Sequence, residues 1–197
     1  GRAAWVLDDI RPLRSIANDN KLFSDKNFQL FEPPTAYQAA YQQATGSRFG
    51  ADAMYQGTNR RSGAMISYFV KPEKKKSPTA TKTEKKNENT KKTETLAKKD
   101  SIKLEIFDGD RLIRTLKKKT PEKMGIHRWY WYMNEKGVSR PSRRITSLKT
   151  EPSGVKAKPG KYKLIMTYGD SKSEQTLNVA NDPRLDVSKK SIDEVYS

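Results

Sequence analysis

The sequence predicts a mainly β fold, an antiparallel β-sandwich interrupted by a lysine-rich segment. Several short stretches alternate apolar and polar residues, as half-buried strands do. Turn sequences, DGD at 108–110 and GD at 169–170, separate neighbouring stretches. One stretch of low complexity stands between two strand-like stretches and raises the question of how many domains there are.

Composition limits the number of domains, the extent of packing and the kinds of partner that the protein can have. The 197 residues are enough for one domain of ordinary size or two small ones. Hydrophobic residues are 34% and charged residues 32%, so we expect part of the chain to stay unpacked. The formal charge of +17 favours association with polyanions. The absence of cysteine excludes disulfides and thiolate chemistry, and no stretch is apolar over the roughly 18 residues that a membrane span needs.

Each predicted strand is justified by its pattern. The stretch 64–70 is apolar on both faces, which predicts a buried strand. Ile102, Leu104 and Ile106 alternate with polar residues, which predicts a half-buried strand. Four more strands follow by pattern, in 111–116, 125–133, 161–168 and 173–179.

The two ends of the chain give weaker patterns. Residues 3–10 are apolar except for Asp8 and Asp9 and predict a short strand, and one helical turn is predicted near Leu13. Residues 11–62 are predicted to be mostly irregular, with short strand or helix pieces, because Pro33 and Pro34 forbid a continuous helix or central strand and glycines follow. The tail from Asn181 is charged and predicts at most one helical turn, near 192–196.

The segment 71–100 contains eleven lysines, no aromatic residue and one large aliphatic residue, Leu96. Such a segment buries too little to offset its ordering entropy, so we expect it to be disordered. Its charge suggests nucleic-acid binding, but it lacks aromatic residues for base stacking and arginine for bidentate contacts. A nucleic-acid-binding module is therefore the least favoured function.

Four stretches in order, GAMISYFVK, SIKLEIFDGDRLIRTL, GIHRWYWYMNEKGV and VKAKPGKYKLIMTYGDSKSEQTLNV, resemble the strands of the Ig-like domain of the flagellar-hook-capping type. That domain ends many bacterial sortilin-like or neuraminidase-repeat β-propeller proteins, commonly described as glycosyl hydrolases. The opening GRAAWVLDDIRPLR resembles the last propeller strand, and LFEPPTAYQ the linker after it.

The resemblance implies a division of the chain. Residues 1–20 are then a propeller-strand remnant, 21–62 an extended linker, 63–180 the Ig-like sandwich and 181–197 a tail. The lysine run, 71–100, falls between the family's first and second strands, so it is an insertion inside one domain. The sequence DGDRLIR is one residue shorter than the family pattern, which predicts a tight two-residue turn.

The resemblance also implies a function. The chain is expected to be the non-catalytic C-terminal accessory module of a propeller protein that is secreted, periplasmic or at the cell surface. Its expected partners are the upstream propeller of the same polypeptide, and a glycan or another protein.

Candidate catalytic and metal-binding residues are few. His127 is the only histidine, and with no cysteine a zinc site is excluded. Asp108 and Asp110 are oxygen ligands in principle, but DGD is first a turn sequence. Asp8 and Asp9 are adjacent, so on a strand they would point to opposite faces. We therefore predict no catalytic residue, no metal and no cofactor.

The aromatic strand separates two functions. Trp129 and Trp131 share one face of their strand and are expected to build the core. Tyr130 and Tyr132 lie on the other face and are the candidate ligand contacts of the alternative function, a carbohydrate-binding sandwich. The expected core residues are Trp129, Trp131, Tyr162, Leu104 and Ile106.

Overall fold

A computed structural model describes residues 7–19, 21–39, 61–72, 101–139, 141 and 151–196, and this part of the chain is mainly β. The three helices are α1 (Arg11–Asn18), α2 (Leu22–Asp25) and α3 (Lys189–Val195). The strands are β1 (Phe28–Leu30), β2 (Ala36–Tyr37), β3 (Ala64–Val70), β4 (Ser101–Asp108), β5 (Arg111–Lys119), β6 (Gly125–Trp131), β7 (Asn134–Lys136), β8 (Ser153–Lys156), β9 (Gly160–Tyr168) and β10 (Ser171–Ala180). None of the described helices is long and apolar enough to cross a bilayer.

Two sheets form the sandwich, with strand orders β1-β3-β6 and β2-β10-β9-β4-β5, and β7 and β8 make a small third sheet. In immunoglobulin-like sandwiches, strands A, B and E share one sheet while C, F and G share the other, with C′ added beside C. Taking β1, β3 and β6 as A, B and E, and β4, β5, β9 and β10 as C, C′, F and G, reproduces the observed sheets apart from β2, which adds to the edge of β10. The predicted β-sandwich is confirmed.

The core lies between the inner faces of the two sheets. Leu104 and Ile106 of the larger sheet and Trp131 of the smaller one are fully buried there, as is Tyr162. The rings of Trp131 and Tyr162 meet edge to face across the sandwich, with centroids 5.5 Å apart. Trp129 points to the same side as Trp131 but is only partly buried and packs against the core.

The central strand of the smaller sheet, β3, is buried on both faces, as its sequence predicts. Ile66 and Tyr68 point into the core. The outward side chains of Met65, Ser67 and Phe69 are buried as well. In a second apolar cluster, Phe69 packs with Phe31 and with the partly buried Ile126.

Part of the segment 21–62, predicted as an extended linker, takes part in both sheets, whereas residues 40–60 lie outside the described part. Strand β1 pairs antiparallel with β3, and β2 pairs parallel with β10 at Val179 and Ala180. Between them the chain crosses from one sheet to the other. The sequence predicts short strand pieces in this region, but strands of two and three residues carry no readable period, so the pattern could not locate them.

Both main hairpins close through the same two-residue turn, as predicted for the first of them. Asp108 pairs with Arg111 around Gly109-Asp110, and Tyr168 pairs with Ser171 around Gly169-Asp170. The turn glycines have φ of 59° and 57°, a left-handed conformation that favours glycine. Beyond the first turn the register shifts by one residue, so Ile113 forms a bulge.

Smaller differences lie at the ends. Residues 7–10 form no strand, residues 3–6 lie outside the described part, and α1 is longer than the single turn predicted. Helix α3 spans seven residues and docks back on the sandwich, where the Tyr196 hydroxyl donates to the carbonyl of Lys156 over 2.6 Å. The lysine run from 73 to 100 lies outside the described residues, so its disorder stays a prediction.

Candidate functional site

The outer face of the larger sheet carries a group of lysines. Pairing places Lys117, Lys103, Thr167 and Lys172 side by side across β5, β4, β9 and β10, so these side chains share one face. We call the outward set Lys103, Lys117, Lys161, Lys163 and Lys172 the lysine face. All of them are exposed except Lys103, which is half-buried.

Two glutamates sit among these lysines. Glu105 pairs with Lys103 at 3.0 Å, and Glu174 pairs with both Lys163 and Lys172 at 2.8 Å. Hydrogen bonds from Lys163 and then Lys172 lower the pKa of Glu174 to about 2. Among the described residues, no carboxylate lies within ion-pair distance of the other two ammonium groups, those of Lys117 and Lys161. The lysine face therefore keeps an excess of positive charge.

A groove opens at the β10 edge of this face. It exists because β2 covers β10 only at its last two residues, and the crossing between the sheets forms the opposite wall. The groove has a volume of about 350 Å³. Its lining residues are Arg11, Glu32, Pro33, Thr35, Lys161, Gln175, Thr176 and Asn178.

The lining of the groove is polar, with two cations, one carboxylate, two amides and two hydroxyls. Lys161 and Asn178 face each other directly on β9 and β10. The guanidinium of Arg11 lies 3.6 Å from Asp9, whose carboxylate also accepts the backbone N–H of Arg11 over 3.1 Å. Chemically, such a groove can bind a hydroxylated ligand that carries negative charge.

A second polar cluster fixes β7 and β8 to the edge strand β5. The bulge at Ile113 directs the neighbouring Arg114 inward, where it is 5% exposed. Its guanidinium donates to the carbonyls of Glu135 (2.7 Å), Pro152 (2.5 Å) and Glu151 (2.9 Å). This arginine satisfies backbone acceptors, so its role is structural.

Arg111 supports the same attachment from the surface. Its guanidinium makes a bidentate pair with the carboxylate of Glu135 at 2.9 and 2.8 Å. These hydrogen bonds raise the pKa of Arg111, because their effect is larger than the opposing effect of desolvation. The carboxylate of Glu151 accepts the backbone N–H of Thr115 over 2.9 Å. Together these contacts close part of the β5 edge.

The candidate catalytic and metal-binding residues His127, Asp108 and Asp110 make contacts within the fold or lie in a turn. His127 donates from Nε2 to the carbonyl of Lys123 at 2.9 Å when that nitrogen is protonated, and its ring lies 5.8 Å from that of Tyr68. Asp108 pairs with Arg111 at 3.4 Å, and Asp110 occupies the turn. Within the described ranges, no three His, Asp or Glu side chains are grouped so that they could hold a metal ion.

Asp8 and Asp9, weighed as a carboxylate pair, differ in their surroundings. Asp9 is buried and holds Arg11, whereas Asp8 is exposed. They therefore do not face one site together.

The candidate sugar contacts are not brought together. Tyr130 points outward from the smaller sheet, is half-buried, and has the guanidinium carbon of Arg61 5.8 Å from its ring centroid. Tyr132 follows the strand end and is 54% exposed. Its carbonyl accepts a hydrogen bond from Lys156 over 2.9 Å. Of these two tyrosines, only Tyr132 offers an open aromatic ring.

Sequence reasoning missed the groove and the lysine face. The lysine face had a readable signal, since Lys161 and Lys163 alternate with core residues along β9. The groove had none, because Arg11, Glu32 and Thr35 come from stretches without a periodic pattern.

Known proteins add nothing to this picture. No family model, no curated protein and no solved structure matches this chain. The case for function therefore rests on the geometry and chemistry of the described residues.

Proposed function

We propose that this chain is a non-catalytic accessory module of a larger protein and that it acts by making contacts. Because the strand sequences of this chain resemble the Ig-like domain that ends such proteins, we expect the rest of the protein to be a sortilin-like or neuraminidase-repeat β-propeller. The module packs against that propeller or positions it, in a protein that is secreted, periplasmic or at the cell surface.

The observation that carries the proposal is the unequal exposure of the two sheets. The outward side chains of β3 are buried, although they lie on the outer face of their sheet. The lysine face of the other sheet is open to solvent. Because the lysine face is open to solvent and the outward centre of the smaller sheet is apolar and covered, we expect the module to be fixed on the side of the smaller sheet and free to bind on the other.

The ionisable groups support a non-catalytic role. Acid–base catalysis needs groups with shifted pKa values that converge on a cavity. In the part of the chain that the structure describes, the carboxylates with clearly shifted pKa values are those of Glu174 and Asp182, and both are held in ion pairs, with lysines and with Arg184 respectively. Glycoside hydrolysis ordinarily uses two carboxylates, and among the described residues the groove is lined by one, that of Glu32.

A turnover assay tests the absence of catalysis. Purified chain is incubated with aryl glycosides and with peptides, and we expect no product above that of the heat-denatured chain. Glu32→Gln is the matched variant, since it removes the one groove carboxylate at constant size. Turnover by the wild type that this substitution abolishes would contradict the proposal.

Cross-linking of the parent protein tests the fixed side. With a lysine-reactive reagent and mass spectrometry, we expect links to the rest of the protein from Lys71 and Lys123, which lie at the ends of the smaller sheet's strands. We expect none from Lys117 or Lys163 of the lysine face. Links from the lysine face alone would show that the open face is the docking side.

One observation favours a second function, a carbohydrate-binding sandwich: Tyr132 presents an open aromatic ring. If that function holds, Tyr132→Ala melts like the wild type and loses binding on a glycan array. Glycan-array binding by Tyr132→Ala that equals that of the wild type would contradict this second function.

A further inference from the structure

The groove and the lysine face are continuous, because Lys161 belongs to both. We propose that they form one binding site for an acidic polysaccharide, with an anionic sugar in the groove and the rest of the polymer on the lysine face. The site does not depend on attachment to a propeller, so it stands apart from the function proposed above.

The groove has the chemistry of a site for a charged sugar. The side chains of Thr35, Thr176 and Asn178 can donate and accept hydrogen bonds, as sugar hydroxyls do. Arg11 and Lys161 supply charge-assisted donors for a carboxylate or a sulfate. The volume of about 350 Å³ lies at the lower end of small-ligand sites, roughly 300–1,000 Å³, so the groove suits one or two sugar rings.

The lysine face has the spacing that a polymer of repeated charge can follow. Lys163 lies two residues beyond Lys161 on β9, about 6.6 Å away along the strand. Lys103 and Lys117 are direct neighbours on β4 and β5, about 4.8 Å apart across the sheet. Because Glu105 and Glu174 neutralise part of this charge, the face suits spaced charges better than dense ones.

Other polyanions fit less well. Single-stranded nucleic acid binds where successive bases stack on several open aromatic rings, and among the described residues of this face Phe107 is half-buried and only Tyr37 is an exposed ring. A membrane surface is flat, so it would contact the lysine face without filling the recessed groove. The hydroxyl and amide groups that line the groove would then have no use.

Titration calorimetry with polygalacturonate, and with neutral dextran of similar length, tests the proposal. We expect the wild type to bind polygalacturonate and not dextran. Arg11→Gln with Lys161→Gln should weaken binding about tenfold or more, since charged hydrogen bonds are lost. The matched control, Lys71→Gln with Lys123→Gln, removes the same charge away from the site and should stay within about twofold of the wild type. The lysines of 73–100 are present in every variant and cannot produce the difference.

A charge-neutral variant separates recognition from attraction. Asn178→Ala removes an amide that faces Lys161 and leaves the net charge unchanged. We expect weaker binding of polygalacturonate and an unchanged salt dependence, while the double groove variant lowers the slope of log K against log salt by about two. Melting temperatures equal to that of the wild type show that the variants are folded.

Three results would overturn the proposal. Equal losses in the groove and control variants would mean non-specific attraction. Unchanged polygalacturonate binding by Asn178→Ala would mean that the groove makes no hydrogen bonds to the sugar. Binding of oligothymidylate, or of vesicles containing phosphatidylserine, that depends on Arg11 and Lys161 while polygalacturonate does not bind would assign the site to another class of partner.

Discussion

The phenol of Tyr162 donates a hydrogen bond to the carbonyl of Lys158, four residues earlier, over 2.5 Å. This contact at the start of β9 has the form of the tyrosine corner of immunoglobulin-like sandwiches. Tyr162→Phe keeps the buried ring and leaves that carbonyl without its donor, so we expect a loss of about 1 kcal/mol in the free energy of unfolding. Urea unfolding measures it, with Tyr132→Phe at the exposed position as the control. Equal midpoints for both variants would show that the hydrogen bond contributes nothing.

Stability is expected to fall at alkaline pH. Burial raises the pKa of Tyr68 and of Tyr162 to about 12, from an ordinary value of 10. The unfolded chain therefore loses these protons first, and the stabilisation is complete below pH 10 and lost as pH rises through 12. Urea unfolding at pH 9, 10 and 11 checks the slope. It should be shallower in Tyr68→Phe, and an unchanged slope would contradict the assignment.

The two neighbouring aromatics Trp131 and Tyr132 should respond very differently to truncation. Trp131 is 1% exposed and its indole N–H donates to the carbonyl of Asn134 over 2.9 Å. Trp131→Ala leaves a cavity and is expected to cost about 3–5 kcal/mol, a large part of the stability of such a domain. Tyr132→Ala should cost little, because its side chain is in solvent. Thermal melts compare the two, and similar melting temperatures would contradict the core assignment.

The buried Arg114 and the exposed Arg111 form a matched pair on β5. Arg114→Leu removes the buried donor from three carbonyls, of which that of Pro152 keeps the N–H of Gly137, so we expect a loss of about 3 kcal/mol and faster amide exchange at Gly137. Arg111→Leu breaks a surface pair and should cost less than about 1 kcal/mol. Equal losses would mean that the buried arginine does not hold the small sheet.

The low pKa of Glu174 should depend more on Lys163 than on Lys172. Lys163→Gln is expected to raise it from about 2 toward 4.5 more than Lys172→Gln does, because Lys163 contributes the larger effect. In the wild type, the stabilisation from this ionised group is present above pH 4.5 and lost as pH falls toward 2. Carboxyl-carbon NMR titration follows the group directly. Lys118→Gln on β5 is the control, and an equal shift there would point to a general field effect.

How far the sequence predicts the fold depends on the length of each pattern. The strand 64–70 and the alternation around Leu104 are long enough to be read, and the structure has both as strands. Strand β7 has three polar residues and β8 has four residues with one apolar side chain, Val155, so their pairing could not be predicted from the sequence pattern. Their position is set by tertiary contacts to Arg114, which no local pattern encodes.

The candidate site was less predictable than the fold. Alternation along β9 places its lysines outward, but the neighbour of each lysine depends on strand register. The side chain of Asn178 faces Lys161 only because the turn at Gly169-Asp170 contains two residues, which sets the pairing of β9 with β10. The position of Arg11 beside them depends on the crossing between sheets, which is a long-range feature.

That crossing also bears on how the protein is made. The backbone N–H of Leu30 donates to the hydroxyl of Ser173, 143 positions later, and β2 adds to β10. Contacts between residues so far apart in the chain slow folding, because a large loop must close before they form. During synthesis, Leu30 leaves the ribosome 143 residues before Ser173, its partner on β10. The sandwich can therefore be completed only after β10 has emerged.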